Sequence, residues 1–368
     1  MNIVYVTDSA VNPEAGGVAR ITYVMSEALR TMYGYTTYSY YGQEDFVAYV
    51  QKIGACIVIV QSPCKFAKKV YDAKDDLPGI KIITVFHGTP GFELVPLRKE
   101  IIWSRLCNNI ERKWTIKQAF MQAGMCLLPK ECFYRILRKK YALPYGKADK
   151  IVVLSRGIID QYQSIAPGNR SQFMAIPNTL SFKDIEILST RKKEVLVVAR
   201  LDDWHKRILE VLKIWALLQS DASYADWTLR IVGEGLDKPY YEEYVQKHNV
   251  ANVRFEGHQN PIPYYQNASL FMMTSACEGL PMTILEAQQC GCIPILYDSF
   301  ASAKDIIENG VNGILVKNNN RENFVQKLKE LMSNQAMRQQ MIAACINSSK
   351  NYSVDKVAAQ WNELLLSI

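Results

Sequence analysis

No uninterrupted apolar run in the 368 residues reaches the roughly 18–20 needed to cross a bilayer. The opening MNIVYVTDSA also lacks the basic stretch and apolar segment of a secretory leader. The expected location is therefore the cytoplasm. The nine cysteines, at 56, 64, 107, 126, 132, 277, 290, 292 and 345, are odd in number and contain no Cys-x-x-Cys pair. That argues against both a disulfide framework and a structural zinc, and for reduced thiols. Internal repeats and low-complexity tracts are missing too. With 49% hydrophobic and 21% charged residues, the composition excludes an extended disordered chain. The net charge of +7 names no partner by itself.

What is present is a regular alternation. Short β-branched runs (Asn2 to Val6, Cys56 to Val60, Lys81 to Phe86, Ile151 to Leu154) read as buried parallel strands, each followed by turn residues. A second series follows Asn178: Val195 to Ala199, Thr228 to Val232, Val253 to Phe255, Leu270 to Met273, Cys292 to Leu296 and Gly313 to Val316. Helical patterns over 208–219, 240–248, 282–290 and 321–332 lie between them. Strands joined by crossover helices predict an α/β protein with two Rossmann-like domains, placed at 1–177 and 178–350 with a polar linker near 177–192. Residues 351–368 carry Val354, Val357, Ala358, Trp361, Leu364 and Leu365 behind Ser353, the spacing of an amphipathic closing helix that packs back toward the N-terminal domain. Ligands of open parallel sheets bind beyond the carboxyl ends of the strands, so two such domains present two crevices across a shared cleft.

The strongest chemical signal is the run from Ser275 through Glu278, Gly279, Leu280, Pro281, Met282 and Thr283 to Glu286, directly after a strand. Gly279 loosens the loop, Pro281 suits the first turn of a helix, and the backbone N–H groups around Leu280 to Thr283 favour an anion, a diphosphate above all. Glu278 falls on the loop and Glu286 inside the helix, so the two carboxylates address different parts of a long ligand. Arg200 and Lys206, after the first strand of that domain, suit phosphate oxygens as a fork and a point charge. Gly233-Glu-Gly235 and Phe255-Glu-Gly257-His258 are further strand-end turns. Taken singly, each has an ordinary reading: a helix cap, a solvated helix residue, surface charge, a plain turn.

Taken together, in this order and spacing, they resemble the retaining glycosyltransferases of family 4. The carriers of the resemblance are Glu278 and Glu286 within Glu-Gly-Leu-Pro-Met, Gly16-Gly17, His87-Gly88, Ile176-Pro-Asn178, Arg200 with Lys206, and Ile307-Glu-Asn-Gly-Val-Asn-Gly-Ile-Leu-Val316. The resemblance implies a GT-B arrangement, with the acceptor on the first domain and a nucleotide-diphosphate sugar, UDP favoured over GDP, on the second. It implies that Glu286 holds the ribose hydroxyls, Glu278 sits by the donor sugar, and Arg200 and Lys206 take the diphosphate and the leaving group's charge. His87 would border the donor sugar, His258 would meet the base through its backbone, and Gly16, Gly17 and Gly233 would allow close approach of substrate. No Asp-x-Asp lies at a strand end, so no metal and no cofactor are expected. One departure is Tyr297-Asp-Ser-Phe-Ala-Ser302, where many relatives have a Gly-Gly turn.

Charge is distributed unevenly. Residues 98–150 hold 13 Lys and Arg against four Asp and Glu, or +9, leaving −2 for the rest of the chain. Arg98, Arg105 and Arg112 share one helical stripe, with Trp103, Leu106, Ile110 and Trp114 broadly opposite. Such a segment suits an anionic membrane surface or a solvated face packed on the first domain. No nucleic-acid reader motif accompanies it. The expected activity is transfer of a hexosyl or N-acetylhexosaminyl unit to a glycan or lipid-linked hydroxyl in surface polysaccharide assembly. The alternatives are a nucleotide-sugar epimerase and a non-catalytic, membrane-docked assembly protein.

Overall fold

The computed structural model describes residues 1–12, 17–91, 130–180, 182 and 185–368. Gly16 and residues 98–129 of the basic segment lie outside them. The chain divides into two compact units, one of Met1–Pro90, Lys130–Ser181 and Asn351–Ile368, the other containing Phe182–Lys350.

In the first unit the strands β1 (Asn2–Val6), β2 (Thr36–Tyr40), β3 (Ile57–Ser62), β4 (Lys81–Phe86), β5 (Lys150–Val153) and β6 (Phe173–Ala175) form a parallel sheet in the order β2-β1-β3-β4-β5-β6. The central strands are almost wholly apolar because helices cover both faces. Two strands escape the sequence reading. The first, β2, is Thr-Thr-Tyr-Ser-Tyr at the sheet edge and half exposed, and β6 has only three residues. Neither shows the apolar run that marks a buried strand. The helix Val354–Leu366 belongs to this unit. Its Val357, Ala358, Trp361, Leu364 and Leu365 pack with Ile3, Tyr5, Met25 and Leu29 in one core. Ser353 stands at its N-cap position with extended backbone, but its hydroxyl makes no capping bond.

The second unit repeats the plan. β7 (Lys192–Val198), β8 (Thr228–Val232), β9 (Val253–Gly257), β10 (Ala268–Met273), β11 (Ile293–Asp298) and β12 (Ile314–Lys317) are parallel, in the order β12-β11-β10-β7-β8-β9. Its core joins Val195, Leu229, Leu270 and Ile295 of the sheet to Trp215, Phe324 and Leu328 of the covering helices. Each unit is thus a Rossmann-like layer structure whose chain order places loop after loop at the carboxyl edge of its sheet.

Candidate functional site

β7 and β10 are hydrogen-bonded neighbours, so the segments that leave their carboxyl ends, 199–206 and 274–281, run side by side. The two segments are stitched together. Ala276 N–H donates to the His205 carbonyl at 2.8 Å, and the Thr274 hydroxyl donates to the Lys206 and Arg207 carbonyls at 3.0 Å each. Arg207, at φ 51°, sends its Nε back to the Thr274 carbonyl at 2.6 Å. Serines of the departing turn after β11 hold the loop from the other side: Ser299 Oγ donates to the Ser275 carbonyl at 2.6 Å and Ser302 Oγ to the Gly279 carbonyl at 2.5 Å.

This stitching brings Lys206 and Glu278 together. Lys206 Nζ donates to Glu278 Oε1 at 2.7 Å, with only 18% and 9% of the two side chains exposed. His205 approaches the same carboxylate, its Nε2 lying 3.5 Å from Oε2 and 2.7 Å from the Cys277 carbonyl. Burial drives the Glu278 carboxyl upward, yet the Lys206 charge and His205 outweigh it and hold the group down at about 2. Glu278 is thus an anion at neutral pH although it is buried.

The helix Met282–Gln289 starts at the same edge, with Pro281 at its N-cap position and no side-chain cap. The Met282 and Thr283 N–H groups meet no acceptor among the described residues, so the helix opens with free donors. Leu280 and Pro281 are buried and Gly279 is partly covered. Glu286 lies about one turn in, buried, accepting from the Tyr265 hydroxyl at 3.2 Å. Tyr265 is itself enclosed, and burial pushes its phenol far above its ordinary value, next to the Glu286 charge. A buried tyrosine therefore orients the second carboxylate.

Other residues stand differently. Arg200 is 66% exposed and pairs with Asp202 at 2.6 Å. His258 is exposed immediately after β9. Gly233 has φ 141°, and a Cβ there would stand 1.9 Å from the Ala199 carbonyl oxygen; at Gly235 it would stand 2.2 Å from that of Leu201. The close approach that these glycines permit is that of the strand-end backbones to each other, as Leu201 N–H donates to the Glu234 carbonyl at 2.9 Å. Asp203, buried in the turn, accepts from Leu209 N–H at 2.9 Å and from the Tyr241 hydroxyl at 3.3 Å. Burial pushes its carboxyl up to about 6.

In the first unit His87 follows β4 at the carboxyl edge of its own sheet. Its Nε2 lies 2.5 Å from Gln61 Oε1 at the end of β3, while Nδ1 is enclosed without a partner. The residue keeps some exposed surface, but the surroundings of its ring push its pKa down to about 4 through burial, so it is neutral at pH 7. Tyr5, Gln61, His87, Asn178 and Thr179 line a small pocket here. Gly17 begins the helix Gly17–Tyr33, and nothing stands within 4 Å of a Cβ placed on it.

Three contributors were not singled out from the sequence. His205 stands next to Lys206 in a basic turn, and neither Tyr265 nor Gln61 falls in a motif. Each acts through a partner distant in sequence, which only the strand order reveals. Among the described residues, no three His, Cys, Asp or Glu side chains gather as metal ligands would.

Residues 180–347 match the model of the family described as glycosyl transferases group 1. An uncharacterized glycosyltransferase of Haemophilus influenzae is 29% identical over 219 residues, 59% of this chain and 61% of that protein. The amylovoran biosynthesis glycosyltransferase AmsD of Erwinia amylovora is 27% identical over 244 residues, 64% of this chain and 67% of its own length. The match thus spans about three fifths to two thirds of these relatives. Among solved structures, HepE of Anabaena, crystallised with UDP and glucose, aligns with 100% of this chain and 99% of its own, at a TM-score of 0.67 and 15% identity. The fold is therefore of the GT-B type, and residues 180–347 of the second unit are similar to the glycosyl transferases group 1.

Proposed function

We propose that this chain, a relative of glycosyltransferases with a group 1 domain at its second Rossmann-like unit, is a retaining enzyme. It would move a hexosyl or N-acetylhexosaminyl unit from a nucleotide-diphosphate sugar to a hydroxyl of a glycan or lipid-linked acceptor. The observation that carries the reading is the buried Lys206–Glu278 pair at the carboxyl edge of β7 and β10, beside an uncapped helix N-terminus that leads to Glu286. Glu286 binds the ribose hydroxyls, and Lys206 with the free N–H groups of Met282 and Thr283 takes the diphosphate. Arg200 joins them by leaving Asp202, an exchange that costs little because exposed ion pairs contribute about 0–1 kcal/mol. UDP is favoured as the nucleotide, in line with the UDP and glucose bound to HepE.

In the transfer the bond between the sugar C1 and the phosphate oxygen breaks, and its electron pair stays on the phosphate. The acceptor oxygen forms the new bond at C1 from the face the phosphate leaves, and its proton passes to the departing phosphate. Lys206 and Arg200 stabilise the charge that grows on that oxygen, so in this reading the protein's own cations carry the leaving group. Glu278, kept ionised by Lys206, faces the donor sugar. The role in surface polysaccharide assembly follows AmsD, which serves amylovoran biosynthesis. Peripheral membrane contact through residues 98–150 belongs to the same reading, with Arg138, Lys139 and Lys140 exposed on the helix Lys130–Lys147.

The test is to incubate the protein with UDP- and GDP-sugars, with and without glycan and lipid-linked acceptors, and to assign the product's anomeric configuration by NMR. Acceptor-dependent release of nucleotide with retained configuration is expected, strongly depressed in Glu278→Ala and Lys206→Ala. Sugar interconversion without acceptor would point instead to an epimerase, and wild-type rates in both variants would remove the proposed site. Failure to co-sediment with anionic liposomes at low salt would end the membrane assignment.

A further inference from the structure

The opposite edge of the second sheet holds a separate basic cavity of about 170 Å³, lined by Ser189, Thr190, Arg191, Ser269, Arg338 and Gln339 among others. Arg191 immediately precedes β7 and Ser269 is the second residue of β10, so the cavity lies at the amino ends of these strands. A strand of six or seven residues places it about 20 Å from the Lys206–Glu278 edge. The volume is several times the roughly 30 Å³ of one water.

Two guanidiniums meet here without a counter-charge. Arg191 Nη1 donates to the Tyr265, Gln266 and Ala268 carbonyls at 3.0–3.1 Å and Nη2 donates to that of Cys290, all neutral acceptors. Its Nε–H is buried with no acceptor. Arg338 Nη1 donates to the Leu331 and Met332 carbonyls at 2.6 and 2.8 Å, and its guanidinium lies 5.7 Å from the Trp227 ring centroid. Neither arginine pairs with a carboxylate among the described residues. The ionisable groups nearest Arg191 are the thiols of Cys290, Cys292 and Cys345, which burial pushes to about 12 or beyond and so keeps neutral. Burial lowers the pKa of both arginines. Buried N–H donors are almost always satisfied, and partly desolvated guanidiniums pair most strongly with carboxylate or phosphate oxygens. The hydroxyls of Ser189 and Thr190 at the rim add neutral donors.

We infer that this cavity, between the start of β7, the start of β10 and the helix Gln335–Ser349, binds a phosphate-class oxyanion, either inorganic phosphate or a phosphomonoester headgroup. The site is independent of the nucleotide site and does not rest on the proposed transfer reaction. The test measures thermal unfolding of the whole protein in phosphate against chloride at equal ionic strength. Phosphate at ten times its dissociation constant should raise the melting temperature by roughly 3–6 °C. Ser189→Glu keeps every arginine contact but sets a carboxylate at the mouth, and Arg338→Gln removes one charge. Each should weaken phosphate binding about tenfold or more, whereas Lys206→Ala, at the other edge, should keep the response. Co-sedimentation with phosphatidic acid vesicles separates the sources. Binding that is lost in Ser189→Glu and competed by phosphate assigns the site to a lipid headgroup, and a phosphate response without vesicle binding assigns it to a soluble anion. A phosphate response that is absent in the wild type, or equal in the wild type and both variants, means the cavity holds only water and overturns the proposal.

Discussion

Replacing Lys206 by alanine leaves the Glu278 carboxylate buried with only His205 nearby. The pair is 2.7 Å long and mostly enclosed, and removing one partner of such a pair typically costs about 3–5 kcal/mol. Proton linkage gives a similar figure. The Glu278 carboxyl is held at about 2 against an ordinary 4.5, a difference of about 2.5 units, or about 3 kcal/mol at 1.36 kcal/mol each. The sign follows from the depressed folded value: the stabilisation is present above pH 4.5 and is lost as pH falls toward 2. Lys206→Ala should therefore lower the melting temperature of the second domain by roughly 6–12 °C at pH 7. The gap from wild type should narrow as pH falls below 4.5 and close only at about pH 2, and Glu278→Gln in the Lys206→Ala background should restore part of the loss. Calorimetry of the three proteins across pH 2–8 reads all of this. A melting temperature within about 1 °C of wild type at pH 7, or a gap independent of pH, would refute the reasoning.

Three further outcomes are expected. His87 is held near 4 against 6.5, so unfolding takes up a proton between those values and stability should fall by about 3 kcal/mol as pH drops through that window; in His87→Phe, urea titrations should show that slope removed. Gly233→Ala puts a methyl group 1.9 Å from the Ala199 carbonyl at φ 141°, and should cost about 3 kcal/mol or more by chemical denaturation, whereas alanine at Gly17, which has nothing within 4 Å, should be nearly neutral. Tyr265→Phe removes the hydroxyl that holds Glu286; it should cost about 1–2 kcal/mol of stability and weaken nucleotide binding, and unchanged affinity would detach Tyr265 from the site.

The architecture was legible where burial on both faces forced continuous apolar strands, as at β1, β4 and β10. It was illegible at β2, whose half-exposed Thr and Tyr residues at a sheet edge carry no such run. Glu278, Lys206 and Glu286 stood out as residues but not as contacts. The meeting of Lys206 and Glu278 depends on β7 lying next to β10 across 72 residues of sequence, an order that no local pattern encodes. The Gly233-Glu-Gly235 turn gave no sign in sequence that the Ala199 and Leu201 carbonyls stand where a Cβ at each glycine would be. His205 was hidden as well. In a basic turn it looks solvent-facing, whereas the stitched 274–278 loop buries it against the Cys277 carbonyl. The basic cavity at Arg191 had no signature at all, because its two arginines are 147 residues apart.

The most direct test of the central claim, that the carboxyl edge of the second sheet receives a nucleotide-diphosphate sugar, is calorimetric titration of UDP-sugar into wild type, Lys206→Ala and Glu286→Ala. Saturable binding to the wild type is expected, weakened about 10- to 100-fold in each variant by the loss of charge-assisted hydrogen bonds. Equal affinity in all three folded proteins would contradict the account.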